Sequence, residues 1–166
     1  MTIFLCGFMG CGKTTAGKII AKKLGVAYVD TDELIVKNEG MSIPDIFAQK
    51  GEPYFRQVEA ETVKGLCGKK AVVACGGGAM LNEDTASYAN ENGAVVFLDV
   101  PFDMCYERIK GDKNRPIVVS STKAQLLERY EQRYSVYLKN SRIRTDCTGS
   151  PVENAEAVIN ALKGLK

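Results

Sequence analysis

Gly7-Phe8-Met9-Gly10-Cys11-Gly12-Lys13-Thr14 fits the phosphate-binding pattern G-x-x-x-x-G-K-[ST] at every fixed position. The residues on either side supply the frame such a loop needs. Ahead of it, the apolar run Ile3-Phe4-Leu5-Cys6 predicts a buried strand; behind it, Thr15 to Leu24 carries the period of a helix. Strand, glycine-rich turn and helix start together make an anion site, because backbone N–H groups and the positive end of the helix dipole converge on one point. In this pattern Lys13 reaches the β- and γ-phosphates of a nucleotide and the Thr14 hydroxyl coordinates Mg²⁺.

Strand candidates recur at residues 3–6, 27–29, 71–75, 94–100 and 143–145, with helical stretches between them. This alternation predicts an α/β protein with a parallel sheet covered on both faces and a ligand crevice at the carboxyl ends of the strands. With 166 residues, one domain spanning 1–166 is expected. The net charge of +2, with basic residues scattered among acidic ones, leaves no footprint for a nucleic-acid or anionic-membrane partner. No apolar run approaches a membrane span and no signal-peptide pattern opens the chain, so a cytoplasmic protein is expected.

The chain has no histidine, and its six cysteines at 6, 11, 67, 75, 105 and 147 form no C-x-x-C pair. Zinc sites and Ser-His or Cys-His chemistry are thereby disfavoured. The cysteines read as reduced, small apolar residues. Cys11 stands apart, since a helix N-terminus favours a thiolate; redox control is the reading to test there, against the commoner shielded bystander.

A phosphate loop alone establishes nucleotide binding and little more. The acceptor side rests on a second constellation. Asp30-Thr31-Asp32 ends the second strand candidate, where residues i and i+2 would turn two carboxylates toward the crevice. There they can hold a metal-bound water and receive the proton of an acceptor hydroxyl. Arg56 and Glu59 stand one helical turn apart, so the carboxylate can orient the guanidinium for bidentate capture of a substrate carboxylate. Gly76-Gly77-Gly78 brings bare backbone to a strand end. Arg133, in a helix over residues 126–138, is a second acceptor-binding candidate. The polar segment 111–123 reads as a mobile surface loop, and Pro116 keeps Arg115 out of helical geometry on it, where the arginine can close over bound phosphates.

These residues resemble the shikimate kinases, and the likeness covers nearly the whole chain. It rests on the glycine loop with Lys13 and Thr14, Asp30-Thr31-Asp32, Phe55-Arg56-x-x-Glu59, Gly76-Gly77-Gly78, Arg115-Pro116, and Arg133 followed by Tyr137. The resemblance implies a three-layer P-loop kinase fold: a five-stranded parallel sheet in order 2-3-1-4-5, a substrate-binding helical region at about 31–62 and a lid at about 111–123. It implies phosphorylation of the 3-hydroxyl of shikimate by ATP with Mg²⁺, in chorismate and aromatic amino-acid biosynthesis, by an enzyme expected to be monomeric. Gly10, Cys11, Gly12, Lys13, Thr14 and Thr15 would cradle the phosphates, Asp30 would hold Mg²⁺ through water, and Arg108 would lie along the adenine. Asp32 would bind the acceptor hydroxyls and act as base. Arg56 and Arg133 would clamp the shikimate carboxylate, Gly77 and Gly78 would meet the ring hydroxyls, Phe55 would line the pocket, and Arg115 would serve from the lid. Two departures stand out: Ala74-Cys75 lacks the hydroxyl residue often found before the triple glycine, and Gly149-Ser150-Pro151 lacks an arginine that many members place near adenine.

Three other readings compete. A GTPase or motor ATPase lacks support because N-K-x-D is absent, and Asp146-Cys147-Thr148-Gly149 matches D-x-x-G only after the last strand candidate. Val95 to Asp99 imitates the apolar run and acid that hold Mg²⁺ in ATPases, yet Asp99 is expected instead to cap the helix beginning after Pro101. A gluconate or nucleoside monophosphate kinase would share the fold, and the acceptor arginines favour a polyhydroxy acid over a nucleotide. A non-enzymatic nucleotide-binding module would leave the paired acids and the lid arginine without purpose.

Overall fold

The computed structural model describes residues 1–165. The strand ahead of the glycine loop, β1 (Thr2–Cys6), is buried along its whole length. It pairs in parallel with β3 (Ala71–Ala74) on one side and β4 (Gly93–Asp99) on the other. β2 (Ala27–Asp30) lies outside β3, and β5 (Ile143–Asp146) outside β4, giving the order 2-3-1-4-5. The chain leaving β1 crosses to β2 on one side, while the chain leaving β3 crosses back to β4 on the other. A crevice therefore opens between the carboxyl ends of β1 and β3, at the switch point of the sheet.

Side-chain alternation splits the strands between two cores. Ile3, Leu5, Val72 and Leu98 pack on one face against α1 (Lys13–Leu24), α6 (Phe102–Ile109) and α9 (Pro151–Lys163), through Ile20, Cys105 and Val158. Phe4, Cys6, Val73 and Phe97 pack on the other against α4 (Glu52–Leu66), α5 (Glu83–Glu91) and α8 (Lys123–Asn140), through Val63, Ala89 and Tyr137. Because both faces are covered, the central strands read as unbroken apolar runs. A third, smaller cluster joins α2 (Thr31–Glu39) and α3 (Ile43–Lys50) to α4 through Ile35, Ile46 and Phe55. It holds the helices that carry the acceptor-side acids and arginine.

Three expectations are corrected. Segment 111–123 is not wholly loop: Pro116–Ser120 forms a one-turn helix, α7, which Pro116 starts with its preset φ. Arg115, just before it, keeps the extended geometry that a following proline demands, with φ −108° and ψ 100°. Asp99 does not cap α6, whose N-cap Pro101 makes no side-chain bond. Its carboxylate instead accepts from the Tyr134 hydroxyl at 2.7 Å and Arg144 Nε at 2.6 Å, partners from α8 and β5 that local sequence could not announce. Finally, Asp30 and Asp32 do not share a strand face. Asp30 ends β2 and caps α2, accepting from the N–H groups of Asp32 at 2.9 Å and Glu33 at 3.1 Å, so a helix turn, not strand pleat, brings the two acids together. Gly149-Ser150-Pro151 forms a helix start: Ser150 and Glu153 make a reciprocal capping box at α9. No helix among the described residues is long and apolar enough to cross a membrane.

Candidate active site

The glycine loop leaves β1 and turns tightly into α1. Gly10 has φ 78° and Gly12 φ 91°, left-handed values that other residues rarely adopt. A Cβ at Gly10 would stand 2.8 Å from the Cys105 carbonyl oxygen, so the loop also lies against α6. From α6, Arg108 donates to the Gly10 carbonyl at 2.9 Å. The Lys13 ammonium donates to the carbonyls of Gly7 at 2.7 Å and Phe8 at 3.2 Å, and approaches Cys11 Sγ at 3.5 Å. Cys11 itself is only 2% exposed and belongs to the core under the loop, which is the bystander arrangement.

A cleft of about 380 Å³ opens over this loop. Gly10, Gly12, Lys13, Thr14 and Thr15 line it from the β1 side, Arg108 and Arg115 from the α6 side, and Asp30, Asp32, Gly76 and Gly77 from the β2 and β3 side. Arg115 also holds Asp112 at 3.0 Å within its own segment. Ala74 and Cys75, the positions that depart from the family pattern, line the same cleft by residue. Cys75 is buried, and burial pushes its thiol well above the ordinary value, so it offers no anionic sulfur.

Beyond the triple glycine lies a second cavity of about 360 Å³, bordered by Arg56, Glu59, Gly78 and Arg133. Glu59 is 3% exposed and accepts from Arg56 Nη1 at 2.8 Å. Burial raises the Glu59 pKa, and the guanidinium opposes that rise. Each glycine makes room for a different side chain. A Cβ at Gly76 would stand 2.6 Å from Asp32 Oδ1, one at Gly77 would stand 3.2 Å from Arg133 Nη1, and one at Gly78 would collide with the Arg56 guanidinium. Three glycines in a row thus let a carboxylate and two arginines close on one stretch of backbone.

Asp32 Oδ1 is buried and has no hydrogen-bond partner among the described residues. Burial raises the Asp32 pKa and the Asp30 carboxylate adds to the rise, while Lys13, Arg56 and Arg115 pull it down. The result is a carboxylate of increased basicity beside a set of cations. Phe55 is placed behind the site: its ring is 4% exposed, packs on Phe47 with centroids 4.8 Å apart, and supports the Arg56 guanidinium at 5.3 Å. Two groups escaped the sequence reading as parts of the site. Thr31 Oγ1 accepts from the Gly76 N–H at 2.9 Å, and the Tyr137 hydroxyl donates to the Gly77 carbonyl. Only their places in motifs, between two acids and four residues after Arg133, hinted at either.

A family profile described as shikimate kinase matches residues 9–163. The chain belongs to the shikimate kinase family. It is 39% identical to a shikimate kinase from Persephonella marina over 163 residues, covering 97% of this chain and 98% of that one. Among solved structures, the shikimate kinase of Aquifex aeolicus matches with a TM-score of 0.86 and 37% identity, over 99% of this chain and 98% of the other. The shikimate kinase of Acinetobacter baumannii, solved in complex with shikimate, matches with a TM-score of 0.90 and 32% identity, over 99% and 94%. Membership in the shikimate kinase family removes the switch-GTPase and motor-ATPase readings, and the strand order observed is the one the resemblance implied.

Proposed function

We propose that this chain transfers the γ-phosphoryl group of ATP to the 3-hydroxyl of shikimate, giving shikimate 3-phosphate and ADP in chorismate and aromatic amino-acid biosynthesis. The observation that carries this reading is the triple glycine met by Asp32, Arg133 and Arg56, one at each glycine, beside a complete phosphate loop. A carboxylate base and two carboxylate-binding arginines, arrayed along bare backbone, suit a polyhydroxy acid better than a nucleotide or water.

On the donor side, the loop N–H groups and the start of α1 hold the phosphates, Lys13 and Arg115 neutralise their charge, and Arg108 lies along the adenine. The residues fit Mg²⁺ carried in by the nucleotide. Among the described residues no cluster of three acidic, histidine or cysteine side chains forms a resident cage, while Thr14 offers a hydroxyl and Asp30 a carboxylate whose Oδ1 alone is taken by backbone donors. When bound, the ion would neutralise charge building on the β- and γ-phosphate oxygens.

On the acceptor side, Arg56, fixed by Glu59, and Arg133 hold the substrate carboxylate. The Gly77 and Gly78 backbone meets the ring hydroxyls. Asp32 accepts the proton of the 3-hydroxyl as its oxygen bonds to phosphorus and the bond to the ADP oxygen breaks. The segment 31–62 serves as the acceptor-binding region and 111–123 as the lid, with Arg115 brought over the phosphates to exclude water. Every group named lies on one chain, so the site needs no second subunit, and a monomeric enzyme of the cytoplasm is the reading proposed.

ADP release with Mg-ATP and a panel of shikimate, gluconate and nucleoside monophosphates tests the reading. Release only with shikimate is the expected result. Equal release without any acceptor would make the protein an ATPase and leave Asp32, Arg56 and Arg133 without these roles.

A further inference from the structure

The acceptor loop is made of three glycines, and nothing in their own side chains can hold their backbone still. Glycine loses more conformational freedom on ordering than any other residue. Hydrogen bonds to the loop's backbone polar groups replace that missing restraint. The Gly76 carbonyl accepts from the Ala79 N–H at 3.1 Å, and the Gly78 carbonyl from the Leu81 N–H at 3.2 Å, which are turn bonds of the 3₁₀ segment Ala79–Leu81. The remaining anchors come from two distant hydroxyls. Thr31, fully buried in the first turn of α2, takes the Gly76 N–H, and Tyr137, 2% exposed on α8, takes the Gly77 carbonyl. Among the described residues, the N–H groups of Gly77 and Gly78 then donate to no protein acceptor.

Both anchors are themselves held by the fold. Thr31 lies between Asp30, which caps α2, and Asp32, whose carboxylate sits against Gly76. Tyr137, one helical turn after Arg133, packs its ring against Phe97 of β4 with centroids 5.5 Å apart. Each hydroxyl thus ties the loop to an element that also carries an acceptor-site charge.

We infer that Thr31 and Tyr137 are positioning residues that clamp Gly76-Gly77-Gly78 from two separate helices, leaving the Gly77 and Gly78 N–H groups as fixed donors for the hydroxyls of a polyhydroxy acid. The kinetic consequence rests on the proposed shikimate reaction; the conformational one does not. Each hydroxyl bonds the acceptor loop and neither, among the described residues, is hydrogen-bonded to the phosphate loop, so the clamp acts first on the acceptor.

Tyr137→Phe keeps the buried ring and removes one oxygen, and Thr31→Val keeps the shape and removes the other, while Thr31→Ser retains the hydroxyl. The shikimate KM is expected to rise about three- to tenfold in Tyr137→Phe and in Thr31→Val, with the ATP KM unchanged and Thr31→Ser close to wild type. Because both bonds hold one loop, the double variant should fall short of the product of the single effects. Independently of any acceptor, amide exchange at Gly76 should accelerate about tenfold in Thr31→Val and not in Thr31→Ser. An unchanged shikimate KM in both variants, or equal rises for shikimate and ATP with a lowered melting temperature, would overturn the clamp. Should the wild type ignore shikimate, the functional reading fails, and the Gly76 exchange rate alone then decides for or against the clamp.

Discussion

The phosphate cradle of the donor half comes from one stretch of chain, residues 7–15, with Asp30, Arg108 and Arg115 added at its rim, whereas the acceptor half draws on four separate elements. Donor geometry follows from local rules: left-handed glycines at 10 and 12, a helix beginning at Lys13, and N–H groups pointing at one place. Acceptor geometry needs Asp32 from α2, Arg56 and Glu59 from α4, the glycines after β3, and Arg133 and Tyr137 from α8. The chemistry common to many nucleotide-binding proteins resides in the contiguous half. The choice of acceptor resides in the assembled half, where a change in packing alters specificity without touching the phosphates.

The largest separation between the halves is expected at Lys13. Lys13→Met should take phosphoryl transfer below detection while calorimetry still registers acceptor binding. Turnover within tenfold of wild type would mean that the two halves do not divide the work in this way.

Asp32→Asn comes next, with kcat expected to fall by on the order of 10² or more and ATP affinity little changed. The same substitution should raise the melting temperature. Burial and Asp30 raise the folded pKa of Asp32 above its unfolded value, so ionisation in the folded state opposes folding. That penalty is absent below the unfolded pKa and grows as pH climbs through the folded one. Melting curves should therefore favour the Asn variant at about pH 7 and converge with wild type toward about pH 3, below the usual carboxylate range. A lower melting temperature at neutral pH would assign Asp32 a structural duty instead.

Arg133→Ala should raise the shikimate KM about thirtyfold, close to 2 kcal/mol, and leave the ATP KM alone. A matching rise for ATP would erase the boundary between the halves. The smallest effect is expected at the lid: Arg115→Ala should lower kcat about tenfold, near 1.5 kcal/mol for one charge-assisted contact. Its melting temperature should not move, because the Arg115–Asp112 pair is largely exposed; a clear loss of stability would make Arg115 part of the scaffold.

Much of this was legible in the sequence, and the division between the halves explains how much. All five strands were anticipated to within a residue or so, because runs such as Val95 to Leu98 are apolar on both faces. The phosphate loop was complete at every position, and the Arg56–Glu59 pair followed from helical spacing alone. Where the sequence was silent, a tertiary partner decided. Asp99 faces Tyr134 and Arg144, which lie 35 and 45 residues away, and no local pattern could set those bonds against helix capping. Phe55 was expected in the pocket and lies behind Arg56, since the α2–α3–α4 cluster that buries it forms only in the folded chain. Thr31 and Tyr137 bond to backbone 45 and 60 residues away, contacts that leave no spacing to read.

³¹P NMR of a reaction holding the protein, Mg-ATP and shikimate decides whether the assembled half selects shikimate as acceptor. The expected result is a phosphate-monoester signal coupled to the ring proton at carbon 3, growing as the γ-phosphate signal of ATP declines. Inorganic phosphate in its place, or a monoester on another hydroxyl, would remove Asp32, Arg56 and Arg133 from the acceptor roles proposed for them.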